Sequence, residues 1–172
     1  MKSDRRFVIL FRGLAQGKHD FVFDIDNEFF DGFEGSEISK GKVFVSVGLS
    51  KTVNLLELDF SLKGSVIVMC DRCLDEFVMP IEYQTKLYVK FGDISEEQDD
   101  EIIILSQADG ELDLKQHIYE YIHLSLPYKR VHPDKQGKST CNKEMLKKLS
   151  EYSIREHTET PWDDLKNLMN KN

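Results

Sequence analysis

Apolar and polar residues alternate along most of the first hundred residues, and the period names the elements. In LELDFSLK, residues 56–63, Leu56, Leu58, Phe60 and Leu62 fall on one face and Glu57, Asp59, Ser61 and Lys63 on the other, the signature of a half-buried strand. Gly64 and Ser65 follow, and SVIVMC then places Val66, Val68 and Cys70 on one face. A tight turn at Gly64–Ser65 would make residues 55–70 a hairpin. Val43, Val45, Val47 and Leu49 repeat at period two, as do Ile81, Tyr83, Thr85, Leu87, Val89 and Phe91. Phe7–Phe11, Phe21–Ile25 and Ile102–Leu105 are shorter β-rich runs. These runs predict an antiparallel, barrel-like meander up to Leu105, curled or closed so as to protect its edges.

The period then lengthens. In DLKQHIYEYIHLSLP, Leu114, Ile118, Ile122 and Leu126 recur every four residues, Asp113 and Gln116 have capping-box spacing, and Pro127 stops the helix. Met145, Leu146 and Leu149 predict a second short helix capped by Thr140 or Asn142. A third, TPWDDLKNLMN, has Thr160 as cap and Pro161 at its first position, with Trp162, Leu165 and Met169 on one side. The expected class is therefore α+β: one domain over residues 1–154, then a linker and short docking helix over 155–172.

Composition changes this picture little. A chain of 172 residues with 40% hydrophobic and 10% aromatic content can bury a core of its own. No apolar run approaches the roughly 20 residues needed to cross a bilayer, and MKSDRRFVILFRGL does not read as a secretory leader, because Arg12 interrupts its apolar stretch. The expected location is the cytoplasm, which agrees with three cysteines, an odd number.

Charge changes it more. The formal net charge is −8, yet residues 127–148 hold Lys129, Arg130, Lys135, Lys138, Lys143, Lys147 and Lys148 against Asp134 and Glu144, a local +5 that leaves −13 for the rest. Such a segment is either a solvated loop and helix face or a phosphate-contacting arm on an acidic body, whose binding would be local and salt-dependent. The carboxylate-dense DISEEQDDE, residues 93–101, reads as a surface loop; it lacks the apolar walls that separate the pKa values of catalytic carboxylate pairs.

Chemistry concentrates at Cys70 and Cys73, a C-x-x-C step inside VMCDRCLDEF. Three readings stay open. A redox dithiol needs a helix N-terminus to lower the first thiol's pKa, whereas LDEFVMPIEY, which follows, reads as extended. A zinc knuckle needs two further ligands. Cys141, with His132 nine residues before it, makes a set of three thiolates and one imidazole available. His117 and His123 compete but sit on the predicted helix, and His19 and His157 carry no special signal. The third reading is a pair of reduced thiols that merely close a turn. No G-x-S-x-G, Walker-type loop or G-x-G-x-x-G is present, so nothing in the chain reads as a catalytic site.

The order of motifs says more than any one of them. CDRCLDEF at 70–77, ELDLKQHIYEYIHLSLP at 111–127, VHPDKQGKSTC at 131–141 and PWDDLKNL at 161–168 together resemble the YceD family, the large ribosomal RNA subunit accumulation proteins. Some members look as if they carry a second cysteine pair in the third motif; this chain is similar to those with a histidine and one cysteine. The resemblance implies Cys70, Cys73, His132 and Cys141 as zinc ligands. It also implies a bacterial or organellar role in accumulation of 23S ribosomal RNA, without catalysis, through binding of the RNA or of a large-subunit ribosomal protein. Tyr128, Lys129, Arg130, Lys135, Lys138 and Lys143 are then the expected RNA contacts, with Tyr128 stacking on an unpaired base. A zinc-stabilised adaptor without RNA contact and a thiol redox protein are the competing readings.

Overall fold

A computed structural model describes residues 5–92, 102–106, 108–134 and 139–153. The strands are β1 (Val8–Ile9), β2 (Gly17–Ile25), β3 (Lys40–Lys51), β4 (Leu55–Met69), β5 (Glu76–Phe91), β6 (Ile102–Leu105) and β7 (Leu112–Asp113). The helices are α1 (Asn27–Asp31), α2 (Lys115–Leu124) and α3 (Lys143–Tyr152). Strands β2 to β6 form one sheet in chain order, antiparallel through β5, with β6 added parallel to β5; β1 and β7 pair separately. The α+β class is as expected. The sheet is open rather than a closed barrel, with β2 and β6 at its edges.

Period-two burial explains the core. Val45, Leu49, Leu58, Leu62, Val66 and Leu87 point inward, and Phe29 and Phe30 of α1, Ile118 and Ile122 of α2, and Phe7 and Ile9 fill the space they enclose. Rings knit the N-terminal segment to that core: Phe7 lies 5.0 Å from Phe29 and 5.9 Å from Phe23. The Phe7–Phe11 run is only the two-residue β1 between single 3₁₀ turns, because its chain must leave β7 almost at once.

The hairpin over residues 55–70 does not form. β4 runs unbroken from Leu55 to Met69, and Gly64 pairs with Val43 of β3 in mid-strand. A Cβ on Gly64 would sit 2.7 Å from the Val43 Cα, so glycine is needed there for close approach of two backbones, not for a turn. The reversal comes later, at Cys70–Asp75.

α2 begins after Leu114, with the Asp113 carboxylate accepting from the Lys115 N–H at 2.9 Å, and ends before Pro127. Asn142 caps α3 by accepting from the Glu144 and Met145 N–H groups; Thr140 instead donates to the Pro133 carbonyl. The acidic loop 93–101, Lys135, Lys138, and the linker and Trp162 helix expected over 155–172 lie outside the described residues. Among the described residues no helix is long and apolar enough to cross a membrane.

Candidate metal centre

The C-x-x-C step is the turn between β4 and β5. The Cys70 N–H donates to the Asp75 carbonyl at 3.0 Å and the Leu74 N–H to the Cys70 carbonyl at 2.9 Å. Closing so tightly puts Leu74 at φ 61°, the left-handed region, where it is the one non-glycine residue among those described. Both thiols are thereby turned inward and fully buried.

The second half of the site comes from the chain after α2. Asp71 and Arg130 hold each other's backbone: the Asp71 N–H donates to the Arg130 carbonyl at 2.8 Å, and the Arg130 N–H to the Asp71 carboxylate at 2.6 Å. The Arg130 guanidinium also pairs with Glu37 and with Asp71. This clasp sets His132 beside the knuckle, its ring 4.6 Å from that of Phe77. The chain returns at Cys141, whose N–H donates to the Ser139 Oγ at 3.2 Å, and passes directly into α3. Phe77, Val131, Met145 and Leu146 wall the cluster.

The ligand atoms of Cys70, Cys73, His132 and Cys141 all lie within 4.8 Å of one another, close enough to hold a metal ion. Cys70 Sγ is 3.8 Å from Cys141 Sγ, and His132 Nδ1 is 3.4 Å from Cys73 Sγ and 3.7 Å from Cys141 Sγ. A tetrahedron with Zn–S bonds of ~2.3 Å and Zn–N of ~2.0–2.1 Å has S–S edges of about 3.8 Å and S–N edges of about 3.5 Å. The three distances match those edges. Four protein donors complete a tetrahedral shell, so the set fits a closed structural centre, not a catalytic one with an open position.

Thiol acidity agrees with ligand chemistry. Burial pushes the Cys70 thiol up, but the backbone N–H groups of Arg72, Cys73 and His132, with the His132 ring, outweigh it and bring it down to about 6. Burial raises Cys73, and the neighbouring Cys70 and Cys141 thiols add to the rise against the Asn142 and Asp75 N–H groups. Three thiols this close cannot all ionise cheaply unless a cation sits among them.

A family model described as Large ribosomal RNA subunit accumulation protein YceD matches residues 58–169. The chain belongs to the YceD family. The matched stretch begins inside β4 and includes all four thiol and imidazole donors, whereas β2 and β3 lie before it. Neither the curated proteins nor the solved structures contain a match to the chain.

Of the expected RNA contacts in this YceD member, Tyr128, Lys129 and Lys143 are exposed. Arg130 is not free: its guanidinium is held by Glu37 and Asp71, a clasp across 93 residues of sequence that no local pattern announces. Lys147, Lys148 and Tyr152 extend the exposed basic surface along α3.

Proposed function

We propose that this chain is a non-enzymatic factor in large-subunit biogenesis whose Cys70–Cys73–His132–Cys141 centre binds zinc and holds a basic arm out to ribosomal RNA. One observation carries the reading. The two halves of the ligand set join the β4–β5 turn to the segment with the local +5 charge. Tyr128, Lys129, Lys143, Lys147 and Lys148 then supply stacking and phosphate contacts, together with Lys135 and Lys138 of the same segment. Arg130 serves as clasp rather than contact, since its charge is already matched. Zinc would contribute folding energy to the arm and no reaction step.

A second reading has support in the −13 outside the segment: an acidic body suits a basic ribosomal protein. In-cell crosslinking with recovery of bound RNA and protein separates the two. Recovery of precursor 23S RNA, lost in a Lys129→Glu, Lys143→Glu, Lys147→Glu variant, is the expected result; a ribosomal protein recovered without RNA would transfer the function to the second reading. Protein purified reduced and without chelator should hold about one zinc per chain and the Cys70→Ser, Cys73→Ser variant none. Stoichiometry near zero in the wild type would remove the metal from this account.

A further inference from the structure

On β3, β4 and β5 the outward face of the sheet obeys the polar-out rule at one end only. Away from the knuckle it carries Ser46, Asp59, Ser61, Gln84 and Lys86 at successive outward positions of β3, β4 and β5. Toward the knuckle, Phe44, Ile67 and Val78 occupy the equivalent positions, with Phe44 49% exposed. They line an open groove of about 920 Å³ together with Lys40, Lys42 and Lys63. An apolar patch confined to one end of a solvated face marks a contact surface.

Its chemistry points to one occupant. Lys40, Lys42 and Phe44 are consecutive outward residues of β3, about 6.7 Å apart at strand rise. The register puts Lys63 directly beside Phe44, and Ile67 next to Lys40. Among the described residues neither Lys40 nor Lys42 has an ionic partner; Lys63 reaches Glu82, its exposed neighbour on β5, at 3.7 Å. Of the two carboxylates lining the groove, Asp26 is committed to the first turn of α1, accepting from the Phe29 N–H, which leaves Asp24 facing Phe44. A row of ammonium groups ending in an exposed ring is how sheets hold single-stranded nucleic acid: cations follow the backbone, and the ring offers its face to a base. We infer that this groove is a second contact for single-stranded RNA, with a base on Phe44 and phosphates at Lys40 and Lys42. The inference rests on the RNA-binding reading above and adds a surface that neither the arm nor the metal centre contains.

The test is fluorescence anisotropy of the purified full chain with a labelled single-stranded RNA of about 12 nucleotides, within the length such folds occupy. Phe44→Ala should weaken binding roughly tenfold while Phe44→Trp retains it, because alanine removes the aromatic face on which a base stacks and tryptophan keeps one. Lys40→Gln with Lys42→Gln should flatten the plot of log affinity against log salt by about 1.4, two contacts at ~0.7 each. All three variants should remain folded, with a cooperative melting transition, since the changed side chains lie on the outward face of the sheet. Unchanged affinity and slope in these variants, with binding lost in the Lys129, Lys143, Lys147 variant, would overturn the groove and leave the arm as the RNA site. No RNA binding by the wild type would overturn both. If Phe44→Ala instead released a co-purifying protein and left RNA affinity alone, the occupant would be a protein and the inference would fail.

Discussion

Leu74 and Gly64 show how single positions carry the site. Leu74 accepts a left-handed backbone at φ 61° because the knuckle has no other way to turn two thiols inward within six residues, Cys70 to Asp75. Its side chain is exposed, so little packing offsets the strain. Leu74→Gly should therefore stabilise the protein by about 1 kcal/mol in chemical denaturation; a loss of stability would show that the leucine side chain matters more than the backbone. Gly64→Ala should do the opposite. Its Cβ would meet the Val43 backbone at 2.7 Å, where nothing flexible can yield, and about 3 kcal/mol of destabilisation is expected. Gly48→Ala, whose nearest neighbour would be 3.8 Å away, is the control that should unfold like the wild type. The cysteines and His132 were legible as ligand types from the sequence. The role of Arg130 was not, because Glu37 is remote along the chain and ion pairing leaves no periodic trace.

Among the elements, β4 and α2 teach different lessons. Directly paired residues of a hairpin share a face. A two-residue turn at Gly64–Ser65 would have paired Lys63 with Val66 and Leu62 with Ile67, which puts Val66 and Val68 on the polar side. The even-numbered apolar positions in fact keep one phase from Leu56 to Cys70, and β4 buries them in that phase. Unbroken phase was the readable signal for one long strand, and the glycine obscured it. α2 half-buries His117, whose enclosed Nδ1 has no hydrogen-bond partner among the described residues. Burial lowers its pKa from the usual 6.5, opposed by Glu120 and Asp113. The folded state then binds fewer protons than the unfolded one near that value, so the stability at stake is fully present above about pH 6.5 and is lost as pH falls through the depressed folded value. His117→Leu should flatten the pH dependence of the melting temperature below about pH 6.5; an unaltered slope would assign that dependence to other groups.

For the molecule as a whole, the core and the candidate metal centre are two bodies of packing that meet at Phe77. The large cluster lies under the sheet; the small one consists of three cysteines walled by Phe77, Val131, Met145 and Leu146. α3 has no fully buried residue, and a ten-residue helix is marginal alone. Among the described residues, 128–134 and 139–153 are tied to the sheet by the clasp at Arg130, by the Arg72 guanidinium donating to the Ser139 Oγ at 3.5 Å, and by the packing around the three thiols. Chelation of the proposed zinc should therefore unfold the arm while the sheet stays intact, seen as hydrogen exchange rising over 139–153 with β3 to β5 still protected. Uniform loss of protection would mean that the centre supports the whole fold. By itself the sequence determined which residues of the strands turn inward, that α2 and α3 follow them, and which side chains own ligand chemistry, since periodicity and donor type are local properties. Only the tertiary structure decided that β4 continues through Gly64, that β6 lies parallel to β5, that Arg130 is held in a clasp, and that four donors come within 4.8 Å of one another. Those outcomes depend on which distant segments lose their chain entropy together, and no rule of near neighbours encodes that choice.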